Sequence, residues 1–276
     1  MIMNRLRQSV QRLGFVLASL VVVLLLPCLE AAAQSPSQDT PIRITVLFDN
    51  YSVREDLPGC WGFSCLVEGF QKTILFDTGS DSRILLDNMA KLKINPKDID
   101  AVVLSHPHDD HVSGCFALLQ AKPGLPVYVG SSFPEPLLSG LRDAGGEIRI
   151  EPQPVEICPK VHTSGEIGDF SKEQALILET PRGLVVLVGC AHPGIIEMLR
   201  GVRRTNDKPF YMVLGGFHLT GQPDVLVDNV IREFRAFGVS KAGPSHCTGD
   251  RQIEKFHKAY GIDFVPLGVG AVIEVK

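Results

Sequence analysis

One stretch constrains this chain more than any other: Ser105-His106-Pro107-His108-Asp109-Asp110-His111, which follows the apolar run Ile99–Leu104 and precedes a helix expected from about Val112. Four potential metal ligands, His106, His108, Asp110 and His111, fall within six residues. Imidazole and carboxylate together suit zinc, iron or manganese, and a solvated loop without a metal gains little from crowding them. His106 and His108 are two apart, so at the end of an extended segment both side chains point to one side. Asp110 and His111 follow on the turn and aim at a second point. The spacing therefore predicts ligands for two neighbouring ions, delivered to a sheet edge by a short buried strand.

The second half repeats one device, an apolar strand ending in a histidine. Leu184–Val188 leads to Cys190 and His192, Tyr211–Leu214 to His218, and the segment after Val239 to His246. Three such ends are expected to converge with the first motif, although a lone histidine after a strand is more often structural than a ligand. Upstream, Ile42–Phe48 reads as the first strand, and Asp49–Gly62 as a loop that overhangs the site. Phe63–Glu68 and Thr73–Phe76 read as a hairpin around Gly69. Asp77 closes that hairpin and either accepts a hydrogen bond from a metal-bound histidine or is a turn or helix-capping aspartate. Helices are expected over Ile84–Leu92, Gly114–Leu119 and Pro136–Arg142. Short strands are expected over Pro126–Val129, Ile148–Ile150 and Val155–Ile157. Asp109 reads as outward-facing or supporting, His162 as the start of a Thr-Ser-Gly turn, and His257 as part of an exposed helix.

Arg5, Arg7 and Arg12, the apolar run Leu13–Leu26 and Ala31-Ala32-Ala33 have the layout of a secretory signal over residues 1–33. The alternative is an uncleaved membrane anchor, the one way in which a membrane enters this reading. Residues 34–41 read as a polar linker, and 42–276 as a single α/β domain. The net charge is −4, and the Lys and Arg residues are scattered, without the basic stripe that nucleic acid requires. Export, periplasmic or secreted, places six cysteines in an oxidising compartment. Cys60 and Cys65 would close a small loop if they pair, and Cys115 reads as a small buried hydrophobe.

His106-x-His108-x-Asp110-His111 resembles the signature of the metallo-β-lactamase-fold hydrolases. Agreement extends to Ile74-Leu75-Phe76-Asp77-Thr78-Gly79, Val188-Gly189-Cys190-Ala191-His192-Pro193-Gly194, Gly215-Gly216-Phe217-His218-Leu219 and His246-Cys247-Thr248-Gly249. The set is similar to the branch labelled 7,8-dihydropterin-6-yl-methyl-4-(β-D-ribofuranosyl)aminobenzene 5'-phosphate synthase, and it covers nearly everything after about residue 42. The resemblance implies a four-layer αββα sandwich of two mixed β-sheets flanked by helices. It also favours His192 and His246 as ligands, so that His106, His108 and His192 would hold one ion and Asp110, His111 and His246 the other. Asp110 and His218 are the catalytic candidates, His218 being either a substrate contact or a ligand. His162-Thr163-Ser164-Gly165 likewise resembles a metal-binding histidine motif of the superfamily.

In one place the chain departs from the pattern, with Gly189-Cys190 where the superfamily commonly has a bridging aspartate after the glycine. Cys190 is either a thiolate ligand that favours zinc or an apolar spacer, and the vulnerability of a thiolate to oxidation favours the spacer. One or two zinc ions are expected, with iron or manganese compatible. Ions ~4 Å apart activate water and polarise the oxygen of its target. The expectation is an exported hydrolase of a small-molecule ester, lactone, amide or phosphoester. The alternatives are the synthase reaction of the similar branch and a metal- or ligand-binding protein without an open coordination position.

Overall fold

A computed structural model describes residues 41–276, so the expected signal segment and nearly all of the expected linker lie outside the described residues. The β-branched run Ile42–Phe48 forms β1. It pairs antiparallel with β2 (Ser64–Glu68) on one side and with the last strand, β13 (Val272–Val275), on the other. Beyond β2 come β3 (Ile74–Phe76), β4 (Ala101–Val103), β5 (Pro126–Val129) and β6 (Glu147–Ile150), parallel to one another. Together they form a seven-stranded sheet ordered β13-β1-β2-β3-β4-β5-β6.

The second sheet has six strands, ordered β12-β11-β10-β9-β8-β7. These are β7 (Glu156–Cys158), β8 (Val161–Thr163), β9 (Leu176–Thr180), β10 (Gly183–Val188), β11 (Phe210–Gly216) and β12 (Lys241–Ser245). Pairing is antiparallel from β7 to β10 and parallel from β10 to β12.

Strands covered on both faces read as continuous apolar runs, and β10, Gly-Leu-Val-Val-Leu-Val, is buried throughout. Its Val185 and Leu187 enter the cluster between the sheets, whereas Leu184, Val186 and Val188 pack under the helices α5 (Ile195–Thr205), α6 (Asp224–Ala236) and α7 (Asp250–Tyr260). The same alternation in β4 sends Ala101 and Val103 between the sheets. Val102 goes to the outer cluster formed with α1 (Ser82–Lys91), α3 (Cys115–Ala121) and α4 (Glu135–Asp143). Three hydrophobic clusters thus bind four layers, the expected αββα sandwich. Each fully buried Val or Leu contributes about 1.5–3 kcal/mol.

Three details differ from expectation. The helix after the histidine motif starts earlier, as α2 (Asp109–Val112), because the His108 carbonyl accepts from the N–H groups of His111 (2.9 Å) and Val112 (3.2 Å). Asp110 and His111 therefore lie in a helical first turn, where an acidic residue is favoured by the helix dipole. Cys60 and Cys65 do not pair: Cys65 faces the inter-sheet cluster from β2, while Cys60 lies beside Ser80. β8, β9 and β13 are short strands of three to five residues that carried no turn or alternation signal strong enough to be named from sequence.

Candidate metal centre

At the carboxyl end of β3 the chain turns through Asp77, whose backbone is left-handed (φ 53°) and whose side chain is fully buried. Asp77 Oδ1 accepts from the Ser105 N–H at 2.7 Å, and Oδ2 accepts from the Ser105 hydroxyl at 2.8 Å. Oδ2 also lies 2.7 Å from His111 Nδ1. The cap of α1 is supplied by Asp81 instead, so Asp77 serves as an acceptor behind His111.

The other rings are held in the same way. Ser105 Oγ, having given its proton to Asp77, stands 2.8 Å from His106 Nδ1. His246 Nδ1 is 3.0 Å from Asn50 Oδ1, and His192 Nδ1 is hydrogen-bonded to Glu173 Oε1. An imidazole whose Nδ1–H donates to oxygen keeps its lone pair at Nε2. Burial pushes His106 well below the usual histidine range and His111 down to about 3, so both rings are neutral. Glu173 is brought down to about 2: burial alone would raise it, but His106 and His192 outweigh that effect. Burial raises the Asp77 carboxyl against its two hydrogen bonds from Ser105.

The free nitrogens converge. His106 Nε2 and His246 Nε2 are buried without a hydrogen-bond partner. His246 Nε2 is 3.3 Å from Asp110 Oδ2, and His111 Nε2 is 3.6 Å from that oxygen and 3.2 Å from Cys190 Sγ. Lone pairs so placed repel unless a cation lies among them, and buried polar atoms are otherwise almost always paired. Ligand atoms of Asp110, His111, Cys190 and His246 lie within 4.8 Å of one another, as do those of His106, His108 and His192. The donor sets fit two metal ions, the first group with four donors and the second with three imidazoles and a position left open. A file of rings runs Trp61–His246–His111–His106–His192–His218, with centroid spacings of 4.8, 5.1, 4.3, 4.7 and 4.4 Å.

The structure thus brings together every histidine expected as a ligand. Cys190 points into the group of Asp110, His111 and His246, rather than standing clear as a spacer would. Asp109 is exposed. His218 stands beside His192 and within 4.8 Å of Cys190 and Cys247. His162 is 3.4 Å from Glu179 on the far strands, and His257 lies on α7. The loop before β2 reaches the site through Asn50 and Trp61. Glu173, Asn50, Ser105 and Cys247 were not anticipated individually. Glu173 accepts from the N–H groups of Ala191 (2.6 Å) and His192 (3.1 Å) as well as from the His192 ring.

A family profile described as the metallo-beta-lactamase superfamily matches residues 59–195. The chain is 29% identical to the 7,8-dihydropterin-6-methyl-4-(beta-D-ribofuranosyl)-aminobenzene-5'-phosphate synthase of Methanocaldococcus jannaschii, over 81% of this chain and 95% of the relative. Among solved structures, a metal-dependent hydrolase of the beta-lactamase superfamily superposes with a TM-score of 0.72 at 27% identity, over 85% of this chain and 99% of the other. A metallo-beta-lactamase fold protein of Bacillus subtilis shares the fold at a TM-score of 0.63 and 16% identity, over 86% of this chain and 100% of the other.

Proposed function

Because the chain belongs to the metallo-beta-lactamase superfamily, we propose that it is a metal-dependent hydrolase of a small-molecule ester, lactone, amide or phosphoester. Zinc is the proposed ion. The carrying observation is the pair of neighbouring donor groups, joined through the His106–His111 ring contact at 4.3 Å, one of them made of three imidazoles that would leave a fourth position for water. His106, His108 and His192 would hold one ion, and Asp110, His111, Cys190 and His246 the other. Cys190 adds the soft donor that favours zinc over iron or manganese.

Bound there, metal would supply water activation and polarisation of the substrate oxygen. The chain itself orients and moves protons. Asp77, Ser105, Glu173 and Asn50 fix the ring tautomers, so no Nε2 has to lose a proton before ligation. Asp110 turns Oδ2 towards His111 and His246, and its carboxylate would accept the proton of an attacking water. Trp61, about half exposed against His246, and His218, exposed beside His192, stand at the two ends of the ring file, along which the substrate would lie.

The 29% match to a synthase supports a second reading, transfer onto a phosphorylated ribofuranosyl aminobenzene. The secretory layout of residues 1–33 belongs with the hydrolase reading, because phosphorylated intermediates of that kind are intracellular. The test is metal analysis of protein purified without added metal, followed by hydrolase and synthase assays on wild type and a His106→Ala/His108→Ala variant. The expected result is zinc in the wild type, with hydrolysis of one substrate class that disappears together with the metal in the variant. Full metal occupancy in the variant would displace the site, and synthase turnover without hydrolysis would install the second reading.

A further inference from the structure

Two buried thiols stand apart from the other cysteines. Cys65 and Cys158 belong to the inter-sheet cluster and Cys115 to the cluster under α1, α3 and α4, where each packs as a small hydrophobe. Cys190 and Cys247 are only 3% and 4% exposed yet belong to no hydrophobic cluster. Their sulfurs and a ring nitrogen of His218 lie within 4.8 Å of one another.

The arrangement is built into the backbone. Ala191, His218 and His246 all have left-handed φ values (59°, 51° and 50°), conformations that non-glycine residues hold chiefly at functional sites. The turn at His246 presents successive residues, His246 and Cys247, to two adjacent donor groups. Glycine at 216 makes the space, since a Cβ there would stand 2.7 Å from Cys247 Sγ. The Cys247 carbonyl accepts from Thr220 N–H (3.2 Å) and Thr220 Oγ1 (2.7 Å), and Phe217 N–H donates to Thr248 Oγ1 at 3.0 Å. These bonds staple the loop that carries His218 to the end of β12.

We propose that Cys190, Cys247 and His218 form an additional, thiolate-rich metal site that takes a thiophilic d10 cation such as Zn(II), Cd(II) or Cu(I). Two sulfurs and one imidazole make a soft set with a fourth position free, and exposed His218 opens it to solvent. Binding forms two metal–sulfur bonds and releases the thiol proton of Cys247, together with that of Cys190 when the neighbouring ion is absent, with no change of oxidation state. The site rests on the reading of the neighbouring centre only through Cys190, whose sulfur would bridge to the ion of Asp110, His111 and His246. Cys247 and His218 serve the new site alone.

The test is a cadmium titration of the reduced, chelator-stripped full chain under anaerobic conditions. It is read by equilibrium dialysis, by sulfur-to-cadmium charge-transfer absorption and by cadmium-113 NMR. Wild type should take up one equivalent more than Cys247→Ser, and the resonance from a two-sulfur environment should be absent in that variant. His218→Ala should bind that equivalent about 10–100-fold more weakly. The His106→Ala/His108→Ala variant should keep the two-sulfur resonance while losing the three-imidazole ion, which separates this site from the hydrolase reading. Equal stoichiometry in wild type and Cys247→Ser would overturn the proposal. So would a Cys190–Cys247 disulfide that survives the reduction step and takes up no cadmium. If Cys247→Ser does not fold, His218→Ala carries the test, and unchanged cadmium affinity there also overturns the site.

Discussion

Glu173 shows how much of the centre depends on a residue that binds nothing itself. Its carboxylate receives two backbone N–H groups and the His192 ring, and so fixes both the turn after β10 and the tautomer of a ligand. Glu173→Gln keeps the shape, but one amide end cannot accept all three donors. We expect metal affinity to fall about 10–100-fold, measured by competition with a chromophoric chelator, while the unfolding transition stays cooperative. Nothing in Ser171-Lys172-Glu173-Gln174 marks this role. The histidines could be read because their number and spacing are improbable for a solvated loop. Glu173 looks like a surface acid and is buried only because the Ile167–Glu173 bridge folds its loop back beneath His192. Cys190 was visible as a departure from the family pattern, but the direction of its sulfur depends on the left-handed turn at Ala191, which the sequence does not advertise.

Among the elements, the carboxyl ends of the parallel strands place the site, as expected for ligands in α/β sheets. β4 and β10 belong to different sheets, and their ends touch because residue 189 lacks a side chain: a Cβ there would overlap Ser105 Oγ and stand 2.8 Å from Asp77 Oδ2. Gly189→Ala should therefore cost about 1–3 kcal/mol, measured by urea denaturation, and should also lower metal affinity by pushing Ser105 off His106. At the opposite end of β9, Glu179 accepts from Lys208 (2.5 Å) and Asn206 (3.0 Å). The bond from Lys208 holds its carboxyl below the ordinary value of 4.5. A depressed pKa stabilises the fold above pH 4.5, and the contribution is lost as pH falls through the lowered value. Glu179→Gln should accordingly cost about 0.5–1 kcal/mol at neutral pH, and the difference from wild type should vanish in acid-series denaturation. Strands such as β10 were legible from their apolar runs. β8 and β13 were not, because three or four residues acquire strand character only from the partner beside them.

For the whole molecule, the donors come from both sheets: His106, His108, Asp110 and His111 follow β4, whereas Cys190, His192 and His246 follow β10 and β12. A metal held among them ties the halves of the sandwich together as well as serving chemistry. Free metal at 100-fold above its dissociation constant adds about 2.7 kcal/mol, which for a domain of this size raises Tm by about 5–10 °C. Chelation should remove that increment in a calorimetric scan, and restoring zinc should return it. The spread of donors along the chain, described above as geometry, also sets an order in time. The first four leave the ribosome together, but His246 follows roughly 7–27 s later at ~5–20 residues per second, and β13, which closes the sheet beside β1, comes later still. Until His246 emerges a nascent chain offers metal only a partial set of donors, so filling of both donor groups marks a chain that has been made through β12.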